Sequence, residues 1–580
     1  MPGADPRDAA RAAAAREPGN AIAWVVLSEA ELDAGDVAAG ETAARRALSL
    51  SPGHPEALAR LGRAQWMSNR PADAADSLRA AARNAPDHPG IAVWLGHVLE
   101  DSGEAEAASE AYARAHALVP DEAQVAAYLL AWRRRLCDWR GLDALSTQVR
   151  AAVRAGHAAV EPFAFLSEDA GADEQLQCAR LNAAQVARQV RPLPPAELSP
   201  SGGPLRLGFL SNGFGAHPTG LLTVAFLEAL RGEPCVDAHL FALNRDDGSS
   251  VRRRLAAATT LHDVSTLPHA RIATAIRAAR IDVLFDLRGW GGGGVPAVLA
   301  MRPAPVQVNW LAYPGTSGAP WIDYVLADAF VLPGSLAPHF SEAVAWLPRC
   351  FQPSDTARAI PRPPSRTDCG LPNDAVVFCS FNNSYKTNPA TFARAMAVLR
   401  GTEDSVLWLL SGPGDGDARL RKAAATAGID PGRLVFMPKQ PHADYLARLQ
   451  LADLFLDSNP YNAHTTASDA LWAGCPLLTR PGDTFAARVA GSLNHHLGMD
   501  ALNATDDDAY IALACALGND RDHLAALRRE LETRRQDASL FDMRGYAGDF
   551  AAIVQEMAAR HRQGLPPAAL GGEPGARLAP

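Results

Sequence analysis

LADLFLDSNPYNAHTTASDALWAGCPLLT, residues 451–479, opens on an apolar run, crosses a loop and enters a helical pattern behind Thr465 and Thr466, before a second apolar run. Strand, loop, helix and strand in so short a span make the βαβ unit of a parallel sheet. A Leu/Phe run without polar alternation is what a strand buried on both faces requires. Capping preference accounts for the threonines, but not for His464 or Asp469. A helix N-terminus offers free N–H groups and roughly half a positive charge, so the stretch reads equally as a capped structural helix or as an anion site. Asp469 shares a face with Thr465 and Thr466 and can accept from a ribose hydroxyl. His464, just ahead of the cap, is placed to donate to a phosphate or sugar.

Working outward, apolar runs at 375–381, 405–411 and 433–438 join those at 452–457 and 475–479, with helical patterns between them. An earlier series stands at 205–211, 236–243, 281–287 and 306–313. Two such series predict two doubly wound α/β domains, with 361–374 as their boundary. Ligands of these sheets sit at the carboxyl ends of strands, so the expected site is a cleft between the domains.

Toward the N-terminus, prolines 18, 52, 86 and 120 are spaced by 34, with two helical patterns per interval and small residues in phase (Ala47, Ala81 and Ala115; Gly62 and Gly96). This is the tetratricopeptide pattern, whose hairpins stack into a superhelix with a concave face; residues 4–17 read as part of a leading repeat. The expected division is repeats over 1–130, a helical extension and linker over 131–204, α/β lobes over 205–365 and 366–562, and a disordered tail over 563–580.

A chain of 580 residues exceeds one core. Its net charge of -9 argues against nucleic-acid binding by bulk electrostatics. The eight cysteines include no C-x-x-C pair, so neither a zinc framework nor a secreted disulfide scaffold is expected. With no secretory h-region and no apolar run long enough to span a bilayer, the expectation is a cytoplasmic protein without a membrane partner.

Three other stretches carry chemistry. FCSFNNSYK (378–386) places Lys386 past a strand end, where an ammonium can neutralise a leaving diphosphate; a solvated loop lysine is the competing reading. No Asp-x-Asp cluster suited to a metal–diphosphate bridge stands at a strand end, which favours metal-independent chemistry. LGFLSNGFGAHPTGLL (207–222) holds His217, a base or a hydrogen-bond orienter if it is not structural. GWGGGG (289–294) and LAYPGTSGAPWIDY (311–324) permit close backbone approach to a ligand.

Repeats followed by GFGAHPTG, MRPAPVQVNWLAYPGTSG, FCSFNNSYK, NAHTTASDALWAGCPLLT and RVAGSLNHHLG resemble the protein O-GlcNAc transferases of family 41, bacterial homologues in particular, from about residue 20 to 560. The resemblance implies a GT-B fold, two Rossmann-like lobes with UDP-GlcNAc in the cleft. It implies inverting, metal-independent transfer to Ser or Thr hydroxyls, no cofactor, and protein or peptide acceptors presented by the concave repeat surface. By position it makes Lys386 the diphosphate contact, His464, Thr465 and Thr466 phosphate contacts, Asp469 the ribose contact, and His217 a residue at the reacting centre. Leu311, Ala312 and Pro314 fall in the sugar loop and Tyr385 near the acetamido group, with Asn383 and Gln440 among the donor-binding residues. The chain departs from the animal enzymes at Asn383 (glutamine there), at His442 and Tyr445 around the nucleoside (lysine and histidine), and at Tyr461, where a small cysteine lines the acetamido pocket. A transferase of the same fold using GDP-fucose or UDP-glucose, and a repeat scaffold with an inactive lobe, stay open as alternatives.

Overall fold

Helices of the repeat region begin at Ala21, Pro55, Pro89 and Ala123, and their hairpin partners at Val37, Pro71 and Ala105, so both series advance by the 34-residue period of the prolines. Local chemistry sets the starts. The Asn20, His54 and His88 side chains accept from N–H groups of the first turn, and Pro55 and Pro89 occupy the first helical position, where no N–H is needed. The in-phase glycines mark where paired helices cross. A Cβ at Gly62 would lie 2.7 Å from the Leu78 side chain, and one at Gly96 2.5 Å from the Tyr112 ring. A helix over Pro6–Arg16 matches the leading partial repeat.

The computed structural model describes residues 5–200 and 202–572. It divides into a unit that runs to Val149 and includes Gly412–Arg419, and a second unit holding the rest. The second unit contains two all-parallel sheets. The first has β1 (Leu205–Ser211), β2 (Val236–Ala242), β3 (Thr260–Asp263), β4 (Val283–Asp286), β5 (Val306–Asn309), β6 (Tyr324–Asp328) and β7 (Ala343–Leu347), in the order β3-β2-β1-β4-β5-β6-β7. The second has β8 (Val376–Ser380), β9 (Ser405–Leu410), β10 (Leu434–Met437), β11 (Leu454–Leu456) and β12 (Leu477–Leu478), in the order β10-β9-β8-β11-β12. Chain order therefore reverses between β1 and β4, and again between β8 and β11. Right-handed crossovers then place helices on opposite faces of each sheet and open a crevice at the carboxyl ends of those strands.

Sequence pattern missed β3, β6 and β7. The first and last are edge strands, short and partly exposed, while β6 follows directly on a glycine-rich loop. Other expectations need correction. The linker over 191–204 is anchored, since Leu193 N–H donates to the Met301 carbonyl (2.8 Å) and Ser199 N–H to Asp282 (2.6 Å). The end of the segment assigned to the second lobe belongs to the first. Helix Met543–Arg562 lies against the first sheet, with the fully buried Phe550 ring 4.8 Å from Phe226, 5.0 Å from Phe285 and 5.4 Å from Trp310. Helical periodicity reveals an apolar face, but not which sheet covers it. The expected disordered tail is docked as far as it is described: Leu570 exchanges backbone hydrogen bonds with β7, to Val344 (3.0 Å) and from Trp346 (2.9 Å). Residues 573–580 lie outside the described residues. No helix among them is long and apolar enough to cross a membrane.

The returning helix generates a stability prediction. Phe550→Ala should cost about 3–5 kcal/mol of unfolding free energy by cavity formation. The control, Leu565→Ala at a 44% exposed position, should stay within about 0.5 kcal/mol. Chemical denaturation of the two variants compares them, and equal losses would place the helix elsewhere.

Candidate active site

The crevice between β8 and β11 is organised by Asp457, the first residue beyond β11. Its buried carboxylate accepts from Ser458 N–H (2.7 Å) and Ala463 N–H (2.6 Å) through Oδ1, and from Thr479 Oγ1 (2.7 Å) through Oδ2, folding 457–463 into a fixed loop. Burial pushes this carboxyl up to about 6, against the pull of those hydrogen bonds and of Lys386. Lys386 arrives from the loop after β8 and is 8% exposed. Its Nζ donates to the Asn462 carbonyl (2.7 Å) and lies 3.9 Å from the centre of the Tyr461 ring. Burial brings its pKa down to about 7, with Asp457 opposing the shift. An ammonium so desolvated gains most from an incoming anion.

Thr465 and Thr466 open helix Thr465–Trp472, as expected, but His464 is itself the N-cap and makes no capping hydrogen bond with its side chain. Its Nε2 faces the Ala486 carbonyl at 3.2 Å. The neutral ring therefore carries its proton there and offers Nδ1 as an acceptor. Burial, and then the Lys386 charge, hold it well below the usual histidine range. The expected donation from a neutral His464 to a phosphate is thus corrected, because that N–H is already used.

Asp469 is buried with both oxygens engaged, Oδ1 by Arg358 Nη1 (2.7 Å) and Oδ2 by His442 Nε2 (3.1 Å). His442, expected around the nucleoside, thereby meets the expected ribose contact. Tyr445 lies in the same nest with a buried hydroxyl that has no partner among the described residues. Asn383 is exposed and Gln440 donates to the nearby Pro438 carbonyl (3.1 Å); among the described residues no hydrogen bond ties either side chain to this cluster. Tyr461 is buried among the rings of His464 (5.0 Å), Tyr385 (6.0 Å) and Phe163 (6.1 Å), so an aromatic wall stands where a small side chain would leave space.

The crevice between β1 and β4 supplies the opposite side. His217 caps helix Pro218–Leu230, its Nδ1 accepting from Thr219 N–H (3.2 Å). A Cβ at Gly213 would lie 2.4 Å from that nitrogen, so glycine is required there. Burial lowers the pKa of His217 to about 4, helped by the charges of Arg288 and of Lys439 from the second lobe. At neutral pH the ring is uncharged with its proton on Nε2. Arg288, just after β4, was missed in the sequence, although a charged residue directly behind IDVLFDL was the available signal. It donates to the Gly292 carbonyl, and its Nε is buried without a partner among the described residues. The 311–318 loop joins the same crevice, with Ala312 N–H donating to the Leu287 carbonyl (3.3 Å), Trp290 to the Ser317 carbonyl (2.9 Å) and Pro314 buried. Leu311 sits there at φ 92°, a left-handed conformation of a non-glycine residue that costs of order 1–3 kcal/mol and concentrates at ligand sites.

The site thus combines Lys386, Arg288, Lys439 and a helix N-terminus lacking a side-chain cap, with the carboxylates Asp457, Asp286 and Asp469 all buried and hydrogen-bonded. Such an arrangement suits a ligand carrying two negative charges next to an uncharged group against aromatic walls.

The chain is 35% identical over 346 residues to a probable UDP-N-acetylglucosamine–peptide N-acetylglucosaminyltransferase of Arabidopsis thaliana, covering 58% of this chain and 35% of that protein. It is 28% identical over 476 residues to the Caenorhabditis elegans enzyme of that name, covering 62% and 41%. The chain thus spans well under half the length of these curated relatives. A solved structure of a mutant Thermobaculum terrenum O-GlcNAc transferase superposes with a TM-score of 0.68 at 26% identity, over 95% of this chain and 99% of that one. The tetratricopeptide model matches residues 4–55 and 59–123. Because the glycosyl transferase family 41 model matches 153–363 and 358–550, the two lobes and the site between them, the chain belongs to that family.

Proposed function

We propose that the chain is a cytoplasmic, inverting and metal-independent glycosyltransferase that moves GlcNAc from UDP-GlcNAc to Ser or Thr hydroxyls, its repeats recruiting the protein acceptor. The observation that carries this reading is the convergence of buried Lys386 with the helix start at Thr465–Thr466, at the one point where the second sheet reverses its strand order. The acceptor oxygen attacks the anomeric carbon from the face opposite UDP. The bond from that carbon to the β-phosphate oxygen breaks, its electron pair leaves on the diphosphate, and the hydroxyl proton passes to a phosphate oxygen of the departing UDP or to solvent water. Lys386 and the first-turn N–H groups stabilise the departing charge without a metal. The Thr219 N–H held at Nδ1 leaves His217 an Nε2–H, which supports a donor that orients the substrate over a base. GlcNAc is preferred among possible sugars because the relatives matched carry that donor in their names; among the described residues Tyr461, buried where a small side chain would leave space, speaks for a smaller sugar such as glucose.

Lys386→Met, which keeps the apolar stem, should lower the transfer rate by about 10²–10³ or more while the melting temperature stays near that of the wild type. A folded variant with full activity would overturn the mechanism. His217→Asn keeps a donor and should retain far more activity than His217→Ala; equal losses would argue for a base.

Donor affinity should also depend on pH. A nucleotide sugar binds the ammonium form of Lys386, which faces Asp457, His464, Tyr461 and the Asn462 carbonyl. The free-site pKa of about 7 rises on binding. Affinity is therefore full below pH 7 and falls as pH rises above it, by at most tenfold per unit. Calorimetric titration with UDP-GlcNAc between pH 6 and 9 measures this at about unit steps, and the fall should be smaller in Lys386→Met, where only the raised Asp457 carboxyl is left to titrate in that range.

A further inference from the structure

The buried ion pair between Arg358 and Asp469 ties the helix Thr465–Trp472 to a residue that belongs to neither sheet. Arg358 lies on the strap between the lobes. Besides Nη1 to Asp469 (2.7 Å), its Nη2 donates to Ser354 Oγ (3.0 Å) and to the carbonyl and hydroxyl oxygens of Ser468 (3.3 and 3.4 Å). Its own carbonyl accepts from Trp472 Nε1 (3.2 Å), and its guanidinium lies 5.4 Å from the centre of the Trp472 ring. Both partners of the pair are 5% exposed in their side chains. One residue of the strap thus grips the helix Thr465–Trp472 at three successive points of contact: Ser468, Asp469 and Trp472.

Three residues earlier the strap is fastened to the other lobe. Buried Asp355 receives both Nη groups of Arg254 (2.8 and 3.0 Å), on helix Ser250–Ala258. Arg254 also forms a paired contact with Glu228 (2.8 and 2.7 Å), near the end of helix Pro218–Leu230, whose N-cap is His217. Bidentate Arg–carboxylate pairs fix orientation as well as distance, which a lysine cannot do.

We propose that Arg358 is a positioning residue for the donor nucleoside. It sets the Asp469 carboxylate through the strap, so that the nucleotide site of one lobe and the His217 helix of the other are held in register by the Asp469–Arg358 pair, the backbone of residues 355–358 and the Asp355–Arg254–Glu228 contacts. The proposal rests on the reading of Asp469 as the ribose contact. A purely structural role would make Arg358 substitutions cost stability alone. A positioning role makes them cost donor affinity in protein that is still folded, and makes that cost vanish when Asp469 is already gone.

The test is calorimetric titration of UDP into the full chain, with melting temperatures measured alongside. Asp469→Asn should weaken UDP by about tenfold or more; unchanged affinity would remove the ribose reading itself, and this proposal with it. With that reading intact, Arg358→Lys should weaken UDP about tenfold, and in the Asp469→Asn background should add less than twofold. Full UDP affinity in folded Arg358→Lys, or an additive loss in the double variant, overturns the proposal. Asp355→Asn, which leaves Arg254 its Glu228 partner, serves as the second variant if Arg358→Lys does not fold. It should weaken UDP without touching any donor contact, and unchanged affinity there also overturns the proposal.

Discussion

A parallel sheet that begins in its middle must send its crossovers to both faces, and at the reversal no connection covers the strand ends. Both sheets of the second unit obey this constraint, and apart from Lys439, which follows edge strand β10, the charged side chains of the site stand beside one of the two reversals. His217 and Arg288 follow β1 and β4; Lys386 and the stretch from Asp457 to Thr466 follow β8 and β11. The remaining strands space these pairs and bury the apolar runs between them.

At the second reversal the electrostatics turn on desolvation. A buried lysine and aspartate stand with a half-buried histidine, and each is displaced toward its neutral form. An arrangement of this kind is unfavourable by itself, since a buried charge is stable only when paired and hydrogen-bonded. Asp457 meets the requirement with loop N–H groups, and Lys386 with a carbonyl and a ring face. The incompletely compensated remainder is cationic, which is the sign a diphosphate corrects. Leu311 stores backbone strain at the facing crevice, so both sides of the site hold conformations that the surrounding packing imposes.

Much of this was readable in advance. The 34-residue period appears because each repeat buries the same face against its neighbour, and the structure returns helix starts on that period. The strands at 205–211 and 405–410 stood out because burial on both faces removes polar residues from them. The edge strand β3 lacked that signature because one side of an edge is wet, whereas β7 is apolar throughout but only five residues long. Among site residues, Lys386, His464, Thr465, Thr466 and Asp469 were visible as polar residues placed against an apolar pattern. Arg358 and Asp457 were not, since Asp457 read as the last residue of the apolar run at 452–457 and a single charge in a proline-rich strap looks like any solvated loop residue.

What the sequence determined alone is therefore what depends on neighbours within one element or one repeat: helix starts, buried strands and the polar stretch ahead of Thr465. Only the tertiary structure decided which partners those residues meet. It turned His464 into an acceptor, gave Asp469 to Arg358 and His442, surrounded Tyr461 with aromatic rings and returned Phe550 to the first sheet. Such pairings span up to hundreds of residues of chain, and no periodicity reaches that far. They follow from the two strand-order reversals, which a reading of one strand at a time does not contain.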